Sequence, residues 1–248
     1  MGTPVFQSPV KEVWGETAAI TTTASRKALV LGYQAVQFYC TSDVQYLLNP
    51  RITHFIFYDQ TAVTYVDYAS NVVDRVATTR APADAMTSSD AIYVCCIDRI
   101  TGFDADLGTK NANASVLTVS YWNGTAWAST SATDGTIAPA GTTLGVDGFI
   151  TWVLPSAEAV VSGYTLGLTG FAEKTAMYWY KITVSATLSA TVDILEVILI
   201  NKGTAYGYLP KITQEVTPHT ISLNVDKVGA IQLIAGGNVT GYLTWVKH

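Results

Sequence analysis

The chain has 248 residues, 49% of them hydrophobic and only 13% charged, with a formal net charge of −5 at pH 7. That length can hold one large or two smaller cores, while the charged share is about half the ~25% of an ordinary soluble domain. An acidic chain without a Lys/Arg cluster lacks the basic stripe that nucleic-acid binding needs; extensive protein–protein contact or a β-rich surface of Thr, Ser and Asn would each explain the scarcity of charge.

The opening, Met1-Gly-Thr-Pro-Val-Phe6, has no basic segment followed by an apolar core, so no signal peptide is expected. Phe6 stands where a myristoylation signal needs Ser or Thr. These features predict synthesis in a cytoplasm. Residues 1–24 are Thr-rich, and their apolar anchors Phe6, Val10, Val13 and Trp14 match neither helical nor strand spacing. They read as an extended arm whose anchors dock on neighbouring subunits.

From Ala28 onward the hydrophobic period is two almost everywhere, which predicts an all-β, antiparallel sandwich or jelly roll. Candidate strands are Ala28–Tyr39, Thr53–Tyr58, Thr61–Tyr68, Ala91–Ile97, Ser115–Trp122 and Phe149–Val153. Further on come Tyr178–Val184, Val192–Ile200, Thr204–Leu209, Thr220–Val225, Ala230–Ile234 and Val239–Val246. In "MYWYKITVS", Tyr178, Tyr180, Ile182 and Val184 share one face, with Lys181, Thr183 and Ser185 on the other. "VDILEVILI" is apolar on both faces, as a doubly covered strand would be, and is too short to span a bilayer. Only Val44–Leu48 and Ser156–Val161 suit a helical turn. The segments 25–54 and 201–248 are expected to pair as a second sandwich around a central block, 55–200.

"SYWNGTAWASTSATDGT" predicts a hairpin: Asn123-Gly124 suits a type I′ turn, with Tyr121, Trp122 and Trp127 as cross-strand aromatics. A sugar-stacking platform is the competing use of these rings.

Groups for chemistry are sparse. His54, His219 and His248 are isolated, and Asp104-Ala-Asp106-Leu-Gly108 lacks the other acidic positions of a calcium loop; a polar strand face explains the pair equally. No Gly-x-Ser-x-Gly elbow or phosphate-cradling Gly-Lys-Ser/Thr occurs. Cys40, Cys95 and Cys96 make a poor disulfide framework, and adjacent Cys95 and Cys96 are expected as core fillers on opposite faces. No metal, cofactor or enzyme activity is expected.

Residues Phe57–Ile200 resemble a β-sandwich module of tailed-bacteriophage virion proteins. The resemblance rests on "FYDQTAVTYVDYAS", "SDAIYVCCIDRITGFDADLGTKNANASVLTVSYWNGTAW", "GTTLGVDGFITWVLP" and "YWYKITVSATLSATVDILEV". It departs from the pattern after Pro155, where an expected tryptophan is missing. The resemblance implies a non-enzymatic virion component: a capsid decoration or cement protein, or a tail, baseplate or fibre piece. Its partners would be other virion proteins and copies of itself. It would be folded in the host cytoplasm, with no nucleic acid or membrane bound. The alternative it leaves is a glycan- or receptor-binding module using Trp122, Trp127, Trp152 or Trp179. Rings buried between sheets would exclude that use, and a coplanar exposed pair would favour it. A glycan-degrading tail enzyme is a third reading.

Overall fold

The computed structural model describes residues 12–20, 25–28, 35–40, 42–73, 76, 78–168, 174–201, 207–209, 219–222, 228–235 and 239–247. Its elements, in chain order, begin with β1 (Glu12–Ile20), β2 (Ser25–Ala28), β3 (Ala35–Cys40) and β4 (Val44–Pro50). Next come β5 (His54–Asp59), β6 (Thr64–Asp67), β7 (Ala81–Pro82), β8 (Ala91–Cys96), β9 (Ile100–Leu107) and β10 (Leu117–Trp122). Then follow β11 (Trp127–Ser129), β12 (Thr133–Asp134), β13 (Gly148–Thr151), β14 (Tyr178–Val184) and β15 (Asp193–Asn201). The last are β16 (Gly207–Leu209), β17 (His219–Ser222), β18 (Val228–Ala235) and β19 (Val239–Lys247). Among the described residues there is no helix, and the protein is all-β.

The chain divides into two compact units, Met1–Leu47 with Ala205–His248, and Leu48–Thr204. The divisions fall several residues outside the block 55–200, with Leu48–His54 grouped with the central segment. The terminal unit has two four-stranded sheets, ordered β1-β19-β3-β17 and β16-β4-β18-β2. Val44, Leu47, Ala230, Ile231 and Leu233 are buried there.

Three expectations are corrected in this unit. Glu12–Ile20 is a strand rather than part of an unpartnered arm: it pairs antiparallel with Val239–Lys247 along all nine residues. Its apolar spacing hid it, since the pairing that fixes it comes from the far end of the chain. Phe6 and Val10 lie outside the described residues, whereas Val13 and Trp14 sit in β1 opposite Val246 and Trp245. Val44–Leu48 belongs to a strand, held by pairing with β16, not to a helical turn. The span Ala28–Tyr39 contains parts of two strands, β2 and β3, rather than one.

The central unit stacks a six-stranded sheet, β11-β10-β14-β8-β5-β6, on a five-stranded one, β12-β13-β9-β15-β7. Period-two alternation turns Phe55, Ile92, Val94, Leu117, Val119, Tyr180, Ile182 and Val184 of the first inward. Phe103, Leu107, Ile150, Ile194, Val197 and Leu199 answer from the second. Burying each such side chain stabilises by about 1.5–3 kcal/mol. The packing leaves an apolar cavity of about 20 Å³ lined by Phe55, Phe103 and Ile150 among others. That is room for about one water in an apolar site that offers it no hydrogen-bond partner, so it is a packing void.

In β15, Ile194 and Val197 both face the core although they are three apart. A β-bulge between Ile194 and Glu196 resets the alternation. The strand is buried on both faces, with Glu196 and Ile198 covered as well. β8 is likewise buried throughout. Cys95 and Cys96 occupy its opposite faces as buried thiols.

Candidate functional site

The second face of the six-stranded sheet carries a cluster of aromatic side chains, four of them half-buried. Trp179, Tyr93, Cys95, Ile56 and Ala91 lie on this face, with Val161, Leu166, Leu168 and Met177 of the 159–177 segment over them. The indole Nε1 of Trp179 donates to the Val161 carbonyl (2.9 Å), which fixes the segment to the sheet. Tyr58, Tyr65, Trp122 and Trp127 surround the cluster, half-buried.

Ring geometry decides what this face can do. Trp122 and Trp127 are directly opposite across β10 and β11, with centroids 5.6 Å apart and planes at 70°. Trp127 also leans on Tyr93 at 5.7 Å. Tyr58 and Tyr65 stack on each other at 4.4 Å, so each covers a face of the other. Lys181 Nζ sits 5.8 Å from the centre of the Tyr93 ring, and burial pushes the Tyr93 hydroxyl up to about 12, with Tyr65 and Tyr58 adding to it. The rings shield one another and no coplanar pair faces outward.

The hairpin differs from expectation in two respects. Trp122 pairs with Trp127, so the loop is four residues, Asn123–Ala126, rather than a two-residue type I′ turn. The Asn123 side chain explains it: Oδ1 accepts from Thr125 N–H (3.0 Å), Thr125 O–H (3.0 Å) and Ala126 N–H (2.8 Å). That side-chain-closed turn satisfies three donors that a tighter turn would not hold. Gly124 alone takes a positive φ, +99°. Tyr121 lies on the other face from Trp122 and packs against the sandwich core, because neighbouring residues of a strand alternate. It is no cross-strand partner of the tryptophans.

Polar side chains elsewhere close loops. Asn111, buried, donates to the carbonyls of Asn113 (2.7 Å) and Thr143 (2.9 Å). Its Oδ1 accepts from Asn113 N–H, Ser189 N–H and Ser189 O–H. Asp134 holds Thr136 through N–H (2.8 Å) and O–H (2.6 Å), and Thr143 through its hydroxyl (2.5 Å). Asp90 accepts from Gln60 N–H, Thr87 N–H and Thr87 O–H. The bonds of Asp134 to Thr136 and of Asp90 to Thr87 are local turn closures, whereas Gln60 reaches Asp90, and Thr143 and Ser189 reach Asn111, from loops far apart in sequence.

Two charged clusters complete the picture. Glu158 is almost wholly buried, paired with Arg99 Nε at 2.5 Å. It also accepts from the Tyr180 hydroxyl (3.0 Å), which in turn accepts the Ile100 N–H (3.1 Å). Arg99 donates as well to the Pro155 carbonyl. Both carboxylate oxygens of Glu158 are thus engaged in anchoring the 153–160 loop, which takes a turn and no helix where a helical turn was expected. His54 Nδ1 lies 2.6 Å from Asp67 Oδ2, with the His54 ring parallel to Trp179 at 6.1 Å. The Asp67 Oδ1 accepts from Phe55 N–H and Ala69 N–H.

Burial pushes the Cys96 thiol well above its ordinary range, against a lowering hydrogen bond to the Asp98 carbonyl. A thiol so held is not a neutral-pH nucleophile. Asp104 and Asp106 are two apart in β9 and so share one strand face. Among the described residues no group of three His, Cys, Asp or Glu is placed to hold a metal ion, and no helix is long and apolar enough to cross a membrane. Trp152 and Trp179 are buried. No protein-family model matches the chain, and no curated protein matches it.

Proposed function

We propose that the chain is a non-enzymatic structural component of a bacteriophage virion, in capsid decoration or the tail, acting through contacts with other virion proteins and with its own copies. The resemblance of residues Phe57–Ile200 is the ground for naming the particle. The observation that carries the mode of action is the treatment of the loops. Asn111, Asp134, Asp90 and Glu158 close them with hydrogen bonds, while apolar side chains stand out at Val153, Tyr164, Val63 and Val116, which are 88%, 73%, 64% and 62% exposed. Pinned loops that present apolar groups suit docking against protein, because little ordering entropy is left to lose on contact.

A glycan-binding role on the phage surface is the second reading, favoured by the half-buried position of Trp122 and Trp127 on an outer face. Sugar stacking favours coplanar ring faces turned to solvent, and Trp122 and Trp127 meet edge-on at 70° instead. The first reading is therefore preferred. A host making particles from a genome deleted for this chain tests it. Loss or weakening of particles, restored by the chain in trans, is the expected result. Intact particles that fail only in attachment to cells would turn the reading toward glycan or receptor binding.

A further inference from the structure

We propose that the chain forms a two-fold dimer in which the open edge of β1 takes the β2 edge of a second copy as an added strand. The inference needs only the terminal unit and does not depend on the virion reading.

The argument begins with how each sheet ends. A strand at a sheet edge presents unpaired N–H and C=O groups that invite another strand, and folds blunt this hazard by keeping edge strands short. In the central unit the edge strands β6, β11, β12 and β7 have four, three, two and two residues. In the terminal unit β16, β17 and β2 have three, four and four. β1 has nine. It pairs with β19 in one unbroken register, and no other described strand lies on its second side. It also contains no Pro or Lys, the usual edge blockers.

Charge selects the occupant. β1, "EVWGETAAI", carries Glu12 and Glu16 and no cation, whereas β2, "SRKA", carries Arg26 and Lys27 and no acid. Like edges repel and unlike edges attract, so β1 against β1 and β2 against β2 are both disfavoured. β16 and β17 have no Lys, Arg, Asp or Glu to match. Position allows closure. β1 approaches β18, and β18 is the neighbour of β2, so β1 and β2 border the same side of the unit. A two-fold axis along the strands then places β1 beside the partner's β2 and β2 beside the partner's β1. Such a contact closes on itself and joins each sheet to one of the partner's.

Sedimentation equilibrium of the full chain tests this. A monomer–dimer equilibrium that shifts toward monomer as salt is raised is expected, because salt screens attraction between unlike charges. Arg26→Glu with Lys27→Glu, and separately Glu12→Lys with Glu16→Lys, should each raise the dimer Kd about tenfold or more, since a tenfold change needs only ~1.4 kcal/mol. Combining all four changes should restore dimerisation. Hydrogen exchange supplies a readout that needs no variant: amides of Glu12–Ile20 and Ser25–Ala28 should gain protection as the wild-type concentration rises. A chain that stays monomeric, a dimer indifferent to both charge reversals, a fourfold variant without rescue, or edge amides whose exchange ignores concentration would each overturn the proposal.

Discussion

Asn111 makes five hydrogen bonds from one buried side chain, two as donor and three as acceptor, to groups in three separate loops. Removing it takes the donor from the buried Thr143 carbonyl and breaks the partly buried bonds to Asn113 and Ser189. At roughly 1–3 kcal/mol for each group left unsatisfied and some relaxation, Asn111→Ala should cost about 3 kcal/mol in urea unfolding. Asn49 is the opposite case: it is 0% exposed and neither amide atom has a hydrogen-bond partner. A buried amide without partners costs free energy, so Asn49→Leu should leave stability unchanged or raise it by about 1 kcal/mol. A marked loss in the same unfolding assay would mean the amide is satisfied after all. Asp67 gives a pH signature. Burial pushes its carboxyl up, but hydrogen bonds from His54, Phe55 N–H and Ala69 N–H, with the charge of His54, outweigh that and hold it below its ordinary 3.8. A carboxylate more acidic in the folded state contributes stability that is fully present above 3.8 and is lost as pH falls through the lower folded value. Asp67→Asn should therefore destabilise at pH 7 and progressively less as pH falls below 3.8; a loss that stays constant down to about pH 2 would refute the linkage.

At the scale of elements, glycines report how tightly strands and turns are set. A Cβ on Gly148 would lie 2.3 Å from the carbonyl oxygen of Gly135, a backbone atom that cannot swing away. A Cβ on Gly124 would meet only Ala159 at 3.4 Å, with the +99° φ as its main strain. Gly148→Ala is thus expected to cost about 2–3 kcal/mol through overpacking, and Gly124→Ala about 1 kcal/mol through backbone strain. Thermal melts should rank them in that order. Elements were legible where local pattern and tertiary use agree: β14 and β10 alternate in sequence and bury the same alternate residues. β1 was illegible because "EVWGETAAI" has no alternation, and its strand is made by β19 more than two hundred residues away. β4 misled because Val44, Leu47 and Leu48 have helical spacing, while sheet pairing at Val44, Gln45 and Tyr46 overrides it. The hairpin was legible as a turn from Asn123-Gly124, but its length was set by hydrogen bonds that the Asn123 side-chain oxygen accepts from Thr125 and Ala126. Asn111 and Glu158 gave no signal at all, since a single Asn or Glu acquires its role only when distant loops meet around it.

Over the whole molecule, two all-β units share one chain, the central one formed by a continuous segment and the other by both flanks. In the central unit Asn111, Asp134, Asp90 and Glu158 hold loops, and the inner aromatics fill a sandwich core. Those properties would suit a rigid piece that docks on other proteins, and the proposed reading, from the resemblance of its segments, is a component of a phage particle. Quantitative peptide mass spectrometry of gradient-purified particles from the producing host tests this most directly. The account predicts the chain in the particle fraction at a fixed copy number relative to the major capsid protein, retained through a high-salt wash. Recovery of the chain only in the soluble fraction, or at a copy number that varies between preparations, would contradict it.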